Sequence, residues 1–245
     1  MAVPPVIKKQ TKFIADSVDL FWDQEYSRAV PLEVLDLGCG NGEIANSIAE
    51  RGHRVLGVDS NEDCILRAQA TMTSPHCRFA ICDAMKIDSL GMKFNVVILA
   101  RVIGLLSRPQ CVLTLIRELL TSPGQLILTT SNGYGPYQLI WARPYAFLLP
   151  LVRKIVGRAA TYPPQVNWYS YEKIRKLVME AGFSINASIN TDFLAFFKPI
   201  CNTRFAELDC KVADAIPPAL SSGWCFDCRT LEAKSNDINS GLIHD

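Results

Sequence analysis

The run Val34-Leu-Asp-Leu-Gly-Cys-Gly-Asn-Gly42 constrains this chain more than any other stretch. It reads as an apolar strand that drives into a loop with glycines at 38, 40 and 42, with an acid, Asp36, two residues before the first of them. Glycines so closely spaced let the backbone turn sharply and leave room for a ligand against bare main chain. Helical spacing follows at once from Glu43 to Arg51 and is closed by Gly52. Strand, glycine loop and helix make a βα unit of the kind that holds a cofactor.

Spacing and charge narrow the cofactor. The loop is Gly-x-Gly-x-Gly rather than the Gly-x-Gly-x-x-Gly of dinucleotide binders, and Glu43 stands where the third glycine would fall. Carboxylates at 36 and 43, beside a helix N-terminus, repel the pyrophosphate that such a site ordinarily attracts. They suit a ligand with a cationic end and no phosphate. S-adenosylmethionine, with an ammonium and a sulfonium, has that chemistry.

The following segments agree. His53-Arg-Val-Leu-Gly-Val-Asp59 is a second buried strand ending in an acid, at the distance where a ribose diol needs a carboxylate. Cys77–Asp83 is a third strand, and its terminal Asp83 can accept from an adenine amino group. Phe94–Ala100 is a fourth, and Gln125–Thr130, after the Pro-Gly turn at 123–124, a fifth. Helices are expected near 61–72 and 108–120, and from Ser170 as N-cap to Ala181 with Gly182 as C-cap. A sixth strand is expected at 183–189 and a last one near Trp224 to Ala233.

This order, with the glycine loop and acids 36, 59 and 83, resembles the class I S-adenosylmethionine-dependent methyltransferase family over roughly residues 30 to 233, in its small-molecule, quinone-type branch. The resemblance implies an α/β fold: a Rossmann-like seven-stranded methyltransferase sheet with helices on both faces, the last strand antiparallel between the fifth and sixth, and a helical lid after strand five. It also implies site roles. Asp36 takes the methionine ammonium through nearby backbone and water, and Gly38, Cys39 and Gly40 approach the methionine moiety. Asp59 and Ser60 serve the ribose, Asp83 and Ala84 the adenine, and the backbone of Leu99 the methionyl end. Residues 7–28 read as an amphipathic helix with Phe13, Val18, Phe21, Trp22 and Tyr26 as its apolar positions, within an N-terminal region (1–30) that lies over the cofactor in similar enzymes.

Composition bounds the rest. The 245 residues fit one methyltransferase domain with a substrate-side cap, and 49% hydrophobic content can fill a large core. A net charge of +1 gives no footprint for nucleic acid. Nine cysteines, an odd number, read as core residues of a reducing compartment rather than a disulfide framework. Cys225-Phe-Asp-Cys228 lacks the second ligand pair that zinc would need, so no metal is expected. With no visible signal peptide and no apolar stretch of spanning length, the expected location is cytoplasmic, free or peripheral to a membrane.

The segment 131–168 is too long for a plain strand-to-helix connection and reads as a lid or cap. Leu119 to Tyr171 contains no acidic residue, while Arg143, Arg153, Lys154 and Arg158 interrupt a bulky apolar run that includes Trp141, Tyr145, Phe147, Leu148 and Leu149. That composition fits a lid for a lipophilic acceptor or a membrane-surface segment as well as it fits a buried cap helix. Residues 235–245 are polar and expected to fray.

In-line methyl transfer asks mainly for proximity, orientation and a dry pocket, beyond the carboxyl ends of the strands. His53 opens the second strand and His76 precedes the third, so both lie at the wrong end, and His244 is in the tail, so no histidine base is expected. Ala100-Arg-Val-Ile-Gly104 lacks the histidine that quinone-type relatives often carry there, which weakens the case for base-assisted phenol methylation. Arg101, Tyr134 and Tyr137 remain as catalytic candidates. Asn132, Tyr134, Trp168 and Tyr169 are candidates for the acceptor site, with Tyr162 closing it. Arg101 either holds a substrate anion or pairs with a neighbouring helix, and the tyrosines either shape an aromatic site or pack in the core. No Asx-Pro-Pro-aromatic turn follows strand four, which argues against nucleic-acid amine methylation. Two functions stay open: methyl transfer to a small, lipophilic or aromatic acceptor, and a non-catalytic cofactor-binding partner subunit of the same fold.

Overall fold

The computed structural model describes residues 4–135, 166–193 and 203–231. Most of the expected lid, with Tyr137 and Tyr162, and the expected tail at 235–245 lie outside the described residues.

Seven strands form one sheet: β1 (Glu33–Leu37), β2 (Arg54–Asp59), β3 (Cys77–Ile81), β4 (Phe94–Ala100), β5 (Leu120–Ser131), β6 (Phe183–Asn190) and β7 (Gly223–Thr230). Their order is β3-β2-β1-β4-β5-β7-β6, with β7 antiparallel to both neighbours, as the sequence led us to expect. Chain order reverses between β1 and β4, so the crevice at their carboxyl ends is where a sheet of this type takes its ligand. The pairing of β1 with β4 ends at Asp36↔Ile98, opening that crevice just before Leu99.

Alternation along the strands builds two cores. Leu35, Leu37, Val97, Leu99, Leu126 and Leu128 point to one face, which is covered by α4 (Pro109–Leu119) and α5 (Tyr171–Glu180). Val34, Val96, Ile98 and Ile127 point to the other, covered by α1 (Pro5–Tyr26) and α2 (Glu43–Ala49). The remaining helices are α3 (Glu62–Ala70), which runs along β2 and β3, and α6 (Thr203–Val212), which lies against α1.

The helix signals held. The Asn61 side chain caps α3 by accepting from the Asp63 and Cys64 N–H groups, and Ser170 caps α5 by accepting from Lys173 N–H. β5 starts earlier than the Pro-Gly turn suggested, because Leu120 pairs with Phe94 before the regular ladder resumes at Gln125. The N-terminal helix seats Ile14, Ala15, Val18 and Phe21 on the sheet, while Phe13, Trp22 and Tyr26 flank that face partly buried. Lys9, near its start, reaches the Cys210 carbonyl and the Asp214 carboxylate, whereas Tyr26, at its end, accepts from Asn95 at the start of β4. The first half of α1 therefore lies by the carboxyl ends of the strands.

Candidate cofactor site at the switch point

The glycine loop is held by the end of β2. Gly38 and Cys39 donate their N–H groups to the Val58 carbonyl at 2.7 and 3.0 Å, and Gly40 donates to Asp59 Oδ2 at 3.0 Å. The other Asp59 oxygen accepts from Asn61 N–H at 2.9 Å. A carboxylate offers about four acceptor directions, so two main-chain bonds leave Asp59 with capacity for a diol. It fixes the loop and stays open to a ligand.

The three loop glycines share a left-handed backbone but serve different ends. A Cβ on Gly38 would lie 2.3 Å from Val102, and one on Gly42 would lie 2.6 Å from Phe79. Those two admit neighbouring side chains. Gly40 alone of the three faces open space, so the close approach expected of a ligand falls there.

Asp36 is the most unusual group in the site. It is 1% exposed, and neither carboxylate oxygen meets a donor at hydrogen-bonding geometry. Burial pushes its carboxyl up to about 7; the main-chain N–H of Ala45 in α2 pulls the other way, and the Asp59 charge pushes it further up. A buried carboxylate without a counter-ion is strongly disfavoured, so the arrangement is complementary to a cation.

The remaining expected cofactor residues line the same rim. Cys39 is half-buried, and burial with the charges of Asp36 and Asp59 holds its thiol protonated. Ser60 is exposed just past Asp59. Asp83 follows Ile81, which pairs with Asp59, and caps a short helical turn that opens at Ala84 by accepting from Met85 N–H at 2.8 Å. One Asp83 oxygen is thus spent on local structure, and the side chain is otherwise exposed.

The acceptor candidates separate. Arg101 is exposed at the end of β4 and holds φ at 62°, an uncommon conformation for a residue with a side chain. Its charge reaches the buried Cys225 thiol. Both amide hydrogens of Asn132 are taken, by the Ala219 and Ser221 carbonyls, and its oxygen accepts from Tyr134 N–H. It ties the β5 loop to residues 219–221. Tyr134 is exposed, and Trp168 is half-buried with its Cβ where a Gly133 side chain would be. Tyr169 is 2% exposed in the core of the α4 and α5 face, across the sheet from Asp36.

Thr129 was missed. Its buried hydroxyl has no partner and lies on the Asp36 face near the carboxyl end of β5, beside Cys225 across the ladder. The polar pair Thr129-Thr130 at the end of an apolar run was the signal.

Both strand histidines lie at the amino ends. His53 is fully buried, accepts at Nδ1 from Leu32 N–H at 3.3 Å and packs edge-on against Trp22. Burial lowers its pKa; Asp19 opposes this, while Arg51 and Arg28 add to it. His76 is exposed before β3. Cys225 and Cys228, three apart in β7, project to opposite faces of the sheet.

A family model described as a methyltransferase domain matches residues 30–155. The chain is 27% identical over 125 residues to a ubiquinone biosynthesis O-methyltransferase of Cereibacter sphaeroides; the match covers 49% of this chain and 51% of the relative. This chain therefore spans about half the length of that relative. It is 32% identical over 109 residues, 42% of each protein, to the Escherichia coli tRNA 5-carboxymethoxyuridine methyltransferase. Among solved structures, magnesium protoporphyrin IX methyltransferase from Synechocystis, with bound S-adenosylhomocysteine, superposes with a TM-score of 0.55 at 20% identity, over 92% of this chain and 86% of that one.

Proposed function

Because the chain belongs to the methyltransferase-domain family, we propose that it binds S-adenosylmethionine at the β1/β4 switch point and transfers its methyl group to a small, lipophilic or aromatic acceptor. The observation that carries this reading is the pair Asp36 and Asp59: one buried carboxyl with both oxygens unpaired, and one acceptor-rich carboxylate holding the glycine loop. When bound, the cofactor supplies a methyl group already activated on a sulfonium.

The residues of this chain then have positioning to do. Asp36 holds the ammonium, the bare main chain of Gly40 receives the methionyl stem, Asp59 with Ser60 takes the ribose, and the free oxygen of Asp83 with Ala84 takes the adenine. Leu99 offers main chain where the β1 pairing stops. Arg101, Thr129 and Tyr134 stand on the acceptor side, where they orient a substrate rather than remove a proton. Both strand histidines lie at the far end of the sheet. Proximity and exclusion of water are the terms on which such a site relies.

Small-molecule chemistry is supported by the ubiquinone-pathway and porphyrin enzymes among the similar proteins, and by a net charge of +1, which provides no electrostatic footprint for tRNA. The acid-free stretch at 137–158 supports a lipophilic acceptor and contact with an anionic membrane surface; no helix among the described residues is long and apolar enough to cross a membrane. Calorimetry with S-adenosylmethionine, then labelled methyl transfer to a panel of phenols, carboxylic acids and tRNA, tests the reading. Binding with transfer to a small apolar acceptor is expected. Binding without turnover on any acceptor would favour a non-catalytic partner subunit, and transfer to tRNA alone would overturn the small-molecule assignment.

A further inference from the structure

We propose that Asp36 carries a proton in the ligand-free protein and that the ammonium of the cofactor displaces it, so that cofactor binding releases a proton to solvent. The inference rests on the cofactor assignment above and adds a linkage that the assignment does not require.

The geometry carries it. Asp36 is 1% exposed at the centre of the sheet, between β2 and β4 and beneath α2. β4 presents Ile98 beside it, and α1 covers this face with Ile14, Ala15, Val18 and Phe21, none of which can stabilise a charge. β2 contributes Asp59, a charge of like sign. The glycine loop contributes the protonated Cys39 thiol, and β3 contributes Cys77, whose own thiol is pushed up to about 11 by burial and by Asp36. Only the Ala45 main chain favours the ionised form. No cation acts on Asp36 among the described residues. An ionised carboxylate so placed would be buried, unpaired and repelled by its neighbour, so the neutral acid is the main form below pH 7 and is still about half of the population near pH 7.

The exchange balances. The neutral carboxylic acid and a ligand ammonium become a carboxylate–ammonium ion pair, and the acid's proton passes to buffer. Charge is conserved, and no bond to carbon or sulfur changes. The linkage makes the site discriminate: a ligand with an α-ammonium drives out the proton, whereas a ligand with the same adenosyl group but no ammonium leaves it in place. It also sets a direction. Below neutrality, affinity falls by up to about tenfold per pH unit, because the proton competes with the ligand.

Calorimetric titration of the full chain with S-adenosylhomocysteine, repeated in buffers of different ionisation enthalpy, counts the protons. Work between pH 6 and 7.5 stays below the ~7.7–8.0 range in which a peptide α-amino group titrates. About 0.9 proton released near pH 6, falling to about 0.5 near pH 7, is expected. Methylthioadenosine, which lacks the amino acid, should bind with no release. Asp59→Asn should weaken binding yet keep most of the release near pH 6, with less near pH 7 because a like charge beside Asp36 is gone, whereas Asp36→Asn should abolish it. Binding of S-adenosylhomocysteine with no proton exchange across this range would overturn the linkage and leave the cofactor assignment standing. Failure of both S-adenosylmethionine and S-adenosylhomocysteine to bind at any pH would overturn both.

Discussion

Two aspartates, Asp36 and Asp227, lie on the same face of the sheet, and each is 1% exposed. Asp227, on β7, accepts from Gln125 at 2.7 Å with one oxygen, and from Asn186 at 2.8 Å and Arg229 at 3.3 Å with the other. Gln125 also donates to the Ser17 carbonyl of α1, and Arg229 lies over the Phe21 ring. That carboxylate fastens the first helix to the antiparallel half of the sheet. Asp36 has no such partners. The difference matches the roles proposed for the two acids: the one that fastens the fold has its partners supplied by the chain, and the one proposed to hold the ligand's ammonium has none. The partnered acid lies along β7, and the unpartnered one lies at the switch point proposed as the cofactor site.

Substitutions sharpen the contrast. Asp227→Ala takes the acceptor from a partly buried guanidinium and from the Asn186 amide and leaves Gln125 with the Ser17 carbonyl alone, so chemical denaturation should show a loss of about 3 kcal/mol. Asp36 behaves in the opposite sense in the ligand-free protein. Its folded pKa is raised from 3.8 to about 7, so its contribution to stability is fully present below the unfolded value and lost as pH rises toward 7. Between pH 4 and 7, wild type should therefore lose up to about 4 kcal/mol relative to Asp36→Asn, in denaturation curves taken across that range. Equal pH profiles for the two proteins would break the comparison.

Ligand affinity should reverse the ranking. Asp36→Asn and Asp59→Asn should each weaken S-adenosylmethionine binding by about 1.5–3 kcal/mol, the worth of a hydrogen bond to a charged group, as read by calorimetry. Asp227→Asn, in whatever fraction stays folded, should bind like wild type. Changing Arg153 and Lys154 to Glu should weaken co-sedimentation with anionic liposomes by about 1 kcal/mol per residue while sparing cofactor affinity; no binding of wild type at low salt would remove the membrane proposal. The smallest effect belongs to the histidines. Replacing His53 and His76 by Gln should leave turnover within about threefold, because a true base contributes ~10²–10⁴.

Much of this was legible because it depends on neighbours in sequence. Alternation sends Leu35 and Leu37 one way and Val34 and Asp36 the other, and strand-end acids fall at the ligand edge once the strands are parallel. The misplaced histidines follow from the same rule, since each precedes its strand. What escaped depends on distant partners. Nothing near Asn132 announces that its amide is taken by carbonyls at 219 and 221, and nothing near Gly38 or Gly42 announces that Val102 and Phe79 fill the space beside them. The early start of β5 needs Phe94 as its partner. Asp83 is a different case: an aspartate that caps the turn after a strand is a local signal, and it was read only as a ligand group.

A crystal structure with S-adenosylhomocysteine bound tests the central claim most directly. The account predicts the α-ammonium within hydrogen-bonding distance of an Asp36 oxygen, the ribose hydroxyls on Asp59 and the ligand stem against Gly40. A ligand bound elsewhere, or one seated at the glycine loop with both Asp36 oxygens still unpaired, would contradict it.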